Sequence, residues 1–123
     1  MNAVDKFGEF VVSKLRDAAF DHADGLLAGR WKSPGSQALQ AALARLSDDE
    51  RLVVRRCVLD SVDSGIHDFL FALGECNDFD RGILVLVDGA NVAAESDGLH
   101  GEPYSDEGWF ARFSKHGPHV TPA

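Results

Sequence analysis

The stretch SDGLHGEPYSDEG, 96–108, is rich in residues of the types that move protons or hold cations, and the candidate catalytic cluster within it is Asp97, His100 and Glu102 with Tyr104 close by. A loop histidine between acids can act as a general base, with one carboxylate orienting the imidazole and another favouring its charged form. Nucleophilic catalysis needs a hydroxyl or thiol within hydrogen-bond reach of that base, and Ser96, Ser105 and Cys76 are the groups at hand. The plainer reading of His100 is a loop residue that bonds the backbone and fixes a turn. A second set, Asp60, Asp63 and His67, has the spacing i, i+3, i+7. On one helix face these would offer two carboxylates and an imidazole to a divalent metal. The plainer reading is a solvated face with Arg56–Asp60 and Asp63–His67 pairs, both at i, i+4.

Neither set carries a defining signature. The chain has no Gly-x-Ser-x-Gly elbow, no phosphate-binding glycine loop, no zinc-type cysteine pair and no Glu-x-x-His repeat. GECNDFDRG, 74–82, lacks the regular oxygen series of a calcium loop. No cofactor is expected.

Charge is the stronger signal. Residues 78–107 carry one cation, Arg81, against eight Asp and Glu, which places −7 of the formal −8 in one quarter of the chain. A field of that sign repels phosphate backbones and disfavours nucleic acid, while it steers a basic protein inward. Candidate partner-binding residues are Asp78, Asp80, Asp97, Glu102, Asp106 and Glu107, with Tyr104, Trp109 and Phe79 as aromatic anchors.

The elements that must position these groups follow from periodicity. At 123 residues the chain is read as one domain, 1–123, of α+β class and mostly helical. Residues 3–24 read as an amphipathic helix with Val4, Phe7, Phe10, Val11, Leu15, Ala18 and His22 on one face and Gly25 as the stop. His22 is assigned to a frayed last turn. GRWKSPGS forms a turn, with Trp31 at the edge of the core, and Ser33 or Ser36 caps a short helix over QALQAALARL.

The long central helix, 47–76, opens with a capping box at Ser47 and Glu50. Its core stripe is predicted as Leu52, Val58, Leu59, Val62, Ile66, Phe69, Leu70 and Leu73, with Arg56, Asp60, Asp63 and His67 opposite. Gly65 implies either a break or a crossing backbone. Arg55 is expected to snorkel or to pair with a carboxylate of the C-terminal half. Cys57 and Cys76, nineteen positions apart on that helix, would lie almost 30 Å from one another and stay reduced.

GILVLV, 82–87, reads as a strand buried on both sides, Asp88-Gly89-Ala90-Asn91 as turn chemistry, and Asn91–Ala94 as the antiparallel return. A hairpin this short leaves edges with which a second copy can pair, so a homodimer is allowed for. Ser105 and Gly117 bracket a C-terminal helix over Trp109–His116, with a hairpin turn at Asp106-Glu107-Gly108 leading to a third strand as the alternative. The tail PHVTPA is expected to fray. No apolar run reaches the ~20 residues of a membrane span, and MNAVDKFGEF lacks secretory character, so a cytoplasmic location is expected by default.

IHDFLFALGE, LVDGANVA, SDGLHGE and GWFARFSKHG, within about the last sixty residues, resemble a set of short bacterial proteins of unassigned function. That resemblance implies no activity and transfers no catalytic residue. In size, acidity and helix–hairpin character the chain is also similar to bacterial immunity proteins, which neutralise a toxin by covering its site. The expectation is therefore a non-enzymatic acidic protein that docks a basic protein partner. The alternative is a small hydrolase or ligand-binding domain working through His100 and its neighbouring carboxylates.

Overall fold

The Ser47 hydroxyl accepts from the Glu50 N–H at 3.2 Å while the Ser47 N–H donates to the Glu50 carboxylate at 2.9 Å, so the capping box forms as the spacing predicts. From it runs α4 (Asp48–Asp78), 31 residues in a computed structural model that describes residues 1–118. The predicted fraying of the tail lies, for 119–123, outside the described residues. The architecture is α+β and mostly helical. In order it comprises α1 (Ala3–Val11), a π-helical turn (Val12–Arg16), α2 (Asp17–Ala28), α3 (Pro34–Ala44), α4, β1 (Leu86–Val87), β2 (Ala90–Asn91), α5 (Val92–Glu95), a 3₁₀ turn (Leu99–Gly101) and α6 (Trp109–Phe113).

Along α4 the buried positions are Leu59, Asp63, Ile66, Leu70 and Leu73. That stripe is narrower than predicted. Leu52 and Phe69 are exposed, at 61% and 56%, because no element covers their side of the rod. Asp63 belongs to the buried face, so the wedge placed opposite the core is wrong by one of its members. Gly65 neither breaks the helix nor meets a crossing backbone; it faces open space. Cys57 and Cys76 are both free thiols.

The N-terminal rod extends to Ala28, beyond the predicted end. Its inward residues Val4, Gly8, Val12, Arg16 and Phe20 repeat every four positions. In an ideal α-helix each such step drifts by about 40°. The wider π turn takes up that drift and holds Gly8, Val12, Arg16 and Phe20 on one face. Gly25 is not the stop; it is the surface on which Trp31 rests, since a Cβ there would lie 2.4 Å from the indole. Gly29, at φ 71°, is the left-handed terminator. His22 therefore sits a turn and a half inside the helix, stacked on Trp31 at 5.3 Å, rather than in a frayed end.

α3 starts after Ser33, with Pro34 at its first turn. Its buried Gln40 bonds both the N–H and the C=O of Trp31, at 2.9 and 2.8 Å. Arg51 of α4 donates to the carbonyls of Leu43 and Leu27, which places a cation at the negative ends of α3 and α2.

β1 and β2 form an antiparallel hairpin, Leu86 opposite Asn91 and Val87 opposite Ala90. Asp88 and Gly89 turn with φ of 49° and 82°, the left-handed pair such tight hairpins require. The strand is shorter than GILVLV and is not buried on both sides: Ile83, Leu84 and Leu86 are 60%, 53% and 59% exposed. The return leg also ends early, because the Asn91 side chain accepts from the N–H groups of Ala93 and Ala94 and starts α5. α6 begins after Gly108, not after Ser105, and stops at Phe113 rather than His116. The core joins Val4, Val12, Ile66, Leu70, Leu73, Val92, Leu99, Trp109 and Phe110. None of the helices among the described residues is long and apolar enough to cross a membrane.

Candidate functional site: an acidic cleft in the C-terminal loop

The loop between α5 and α6 is tethered at several points. The Ser96 hydroxyl donates to Glu102 at 2.8 Å and accepts from the Gly98 N–H at 3.1 Å. Leu99 and Pro103 are buried, and the N–H groups of Trp109 and Phe110 donate to the carbonyls of Glu102 and Pro103 at 2.9 and 3.1 Å. Gly108 is obligatory at the crossing, since a Cβ there would lie 1.9 Å from the Tyr104 carbonyl oxygen. These bonds hold open a cleft of about 380 Å³ lined by Asp97, His100, Glu102, Tyr104, Ser105 and Glu107. A second cleft of about 360 Å³, lined by Phe71, Glu75, Asp78, Phe79 and Asp97, lies on the other side of His100.

The structure thus brings the three candidate catalytic residues, Asp97, His100 and Glu102, to one cleft. It does not arrange them as a relay. His100 packs edge-on against His67 at 5.6 Å and Phe71 at 5.2 Å, and its ring has no hydrogen bond among the described residues. The Glu102 carboxylate is engaged by Ser96, and the Ser105 hydroxyl accepts from the Glu107 N–H. Cys76 lies in α4, outside the cleft lining. Burial and the Asp63 charge raise the Tyr104 phenol above its ordinary value, so Tyr104 offers a neutral O–H and an aromatic wall.

Of the candidate docking residues, Asp78, Asp80, Asp97, Asp106 and Glu107 are exposed, as are Tyr104 and Phe79, while Glu102 is half-buried. Trp109 is a correction: it is completely buried, edge-on to Phe7 at 6.0 Å and against Gly8 of α1, and anchors the core instead of a partner. Its Nε1 is buried without a hydrogen-bond partner among the described residues.

The metal candidates do not converge. Asp63 takes a bidentate bond from Arg16, Nε to Oδ1 at 2.7 Å and Nη2 to Oδ2 at 3.0 Å, so both its oxygens are occupied. Asp60 points to solvent and His67 contacts Asp68 at 3.1 Å, in place of the i, i+4 pair with Asp63. Among the described residues no cluster of three or more His, Cys, Asp or Glu is arranged to hold a metal ion. Arg55 finds its carboxylate at Asp24 of α2, 2.7 Å away, not in the C-terminal half.

Sequence reasoning missed how the C-terminal cations are used. Arg112 pairs with Asp5 at 2.7 Å, and Lys115 and His116 pair with Asp21. Asp17 accepts from the Ser114 hydroxyl at 2.6 Å and the Lys115 N–H at 3.1 Å. Arg112 holds the Asp5 carboxyl below its ordinary range, and Lys115 with His116 does the same to Asp21. The cations that follow the acidic loop are thereby drawn onto the acids of the N-terminal rod. Asp78, Asp80, Asp97, Asp106 and Glu107 make no ion pair among the described residues, and only Asp88 of the stretch is neutralised, by Lys6 at 2.6 Å. The acids at 5, 17 and 21 and the bases at 112 and 115 were the available signal, but nothing in their spacing states that one end folds back on the other.

Compared with protein-family models, with curated proteins and with solved structures, the chain finds no match.

Proposed function

We propose that this protein is a non-enzymatic binding protein that docks a basic protein partner on the acidic surface of its C-terminal loop. The observation that carries the reading is the uncompensated charge of Asp78, Asp80, Asp97, Asp106 and Glu107, left unpaired while Arg112 and Lys115 turn to α1 and α2. The cleft beside His100 has the size and lining to take one Lys or Arg side chain of the partner, with carboxylates around the cation and the Tyr104 ring beside its stem. Exposed Phe79 and Tyr104 supply the apolar anchors. The likeness to immunity proteins agrees with this mode, since they act by covering a partner's site. The hydrolase reading is weaker, because His100 lacks both an orienting carboxylate and a bonded nucleophile.

The test is affinity capture with the intact chain, followed by association kinetics between the captured protein and the variant Asp97→Lys/Asp106→Lys/Glu107→Lys. All three positions are exposed, so the fold is retained. Association is expected to slow by about tenfold or more at low ionic strength, and its salt dependence to flatten. Equal on-rates for the two forms across salt concentrations would rule the docking surface out.

A further inference from the structure

The outer edge of the hairpin is open, and its backbone, side chains and underlying groove all specify the same occupant. The Val92 N–H donates to the Val85 C=O at 3.1 Å, so Leu86 and Asn91 are the pair without mutual hydrogen bonds. The N–H and C=O of Leu86 therefore point away from β2, and by the alternation of an extended chain those of Leu84 point the same way. No turn, loop or cap bond among the described residues uses any of these four groups. The side chains of the run are apolar and exposed, Ile83 at 60%, Leu84 at 53% and Leu86 at 59%. Natural edge strands normally carry a lysine, a proline or a bulge at such places, and this one has none between Gly82 and Val87. On the face that carries Val85 and Val87, α1 lies alongside with Lys6, Phe7 and Phe10, enclosing an apolar groove of about 470 Å³.

We propose that this edge pairs antiparallel with the same edge of a second copy, across a two-fold axis at Val85, to give a four-stranded sheet β2-β1-β1-β2. The register follows from geometry. Directly opposite residues must point to the same face, so a two-fold normal to the sheet pairs residues whose numbers sum to an even value. An axis at Leu84 would need Gly82 extended, and one at Leu86 would need Asp88 extended; their φ of 78° and 49° forbid both. An axis at Val85 sets Leu84 opposite Leu86 of the second copy and satisfies all the outward groups at once. It also lays Ile83 of each copy beside Val87 of the other, over the groove against Phe7 and Phe10. Arg81, which has no ion pair among the described residues, comes alongside the Asp88 turn of the second copy. Two strands alone are marginal in water, and four joined over two helices are not. The inference uses neither the cleft nor the acids proposed to dock a partner.

The test has two arms on the full chain. Sedimentation velocity over a wide concentration range should show a reversible dimer, and Ile83→Lys, at an exposed position beside Lys6 of the second copy, should raise its dissociation constant by about tenfold or more with an unchanged circular dichroism spectrum. In a Cys57→Ser/Cys76→Ser background, Val85→Cys should form a disulfide-linked dimer under mild oxidation, since opposite Cα atoms of such a pair lie about 4.5 Å apart. Leu84→Cys and Leu86→Cys should not, because the same residue of the other copy then lies beyond the roughly 7 Å limit for a disulfide. A monomer at every concentration, a dimer indifferent to Ile83→Lys, or equal linking at all three positions would overturn the proposal. If Val85→Cys fails to fold, the sedimentation arm decides alone.

Discussion

Arg16 of the π turn and Asp63 of α4, 47 positions apart, meet in a bidentate ion pair in which the arginine has no exposed surface and the aspartate only 7%. The guanidinium also lies 3.8 Å from the centroid of the Phe110 ring and 4.7 Å from that of Phe20, and its third arm donates to the Gly117 carbonyl at 2.7 Å. One cation thus ties the N-terminal rod, the central helix, α6 and the chain beyond it. Its depth rules Asp63 out of any exposed metal set and makes it a structural centre.

Removing one partner should therefore cost more than removing both. Asp63→Ala is expected to lower unfolding stability by about 3–5 kcal/mol, the usual consequence of an orphaned buried charge. Arg16→Met/Asp63→Leu should recover much of that loss. Urea titrations of the wild type, Arg16→Met, Asp63→Leu and their double variant close the cycle, with Asp63→Ala measured beside them. A single variant within 1 kcal/mol of wild type, by that rough scale, would contradict the burial argument.

Two glycines in long helices should respond oppositely to alanine. Gly65 faces open space in the interior of α4, so Gly65→Ala should stabilise by about 1 kcal/mol through helix propensity. At Gly8 the same change puts a Cβ 2.3 Å from the fully buried Trp109 indole, and the clash outweighs the propensity gain. Gly8→Ala should destabilise by about 1–3 kcal/mol or more, as overpacking does. Thermal denaturation of the two variants decides, and equal signs would refute the contrast.

Acid should release the C-terminal segment from the rod. Asp5 and Asp21 titrate lower in the folded chain than in the unfolded one, held down chiefly by Arg112 and by Lys115. Their stabilisation is complete above the unfolded carboxylate value of about 3.9. It is lost as pH falls below that value through the folded ones. Stability measured against pH should decline in this range, and Asp5→Asn/Asp21→Asn should flatten the decline. An identical slope in the double variant would show that other carboxyls carry it.

Zinc, manganese and iron should give no saturable calorimetric signal attributable to Asp60, Asp63 and His67, because Arg16 already occupies both oxygens of Asp63. A saturable heat abolished by Asp60→Asn would reverse that conclusion.

Local grammar was readable without coordinates wherever neighbours in sequence are neighbours in space. The Ser47–Glu50 box, the helical period that follows it and the turn at Asp88-Gly89 each depend on a few consecutive residues, whereas the continuity of α4 through Gly65 was not readable. The cleft was legible in part, since Asp97, His100 and Glu102 share one short loop. The His67–His100 contact was not, because 33 positions separate two residues that meet only when the loop folds onto α4. Trp109 was misplaced for a related reason: an aromatic in a polar context reads as exposed until the glycine that receives it, Gly8, is known.

By itself, then, the sequence determined the main helical segments, the Ser47–Glu50 cap, the hairpin turn and the gathering of negative charge in 78–107, all written in short-range hydrogen bonding and composition. Tertiary structure alone decided which charges are spent and which stay free. Asp5 meets Arg112 across 107 positions and Arg16 meets Asp63 across 47, and desolvation and Coulomb attraction act on the distances that packing creates, not on spacing along the chain.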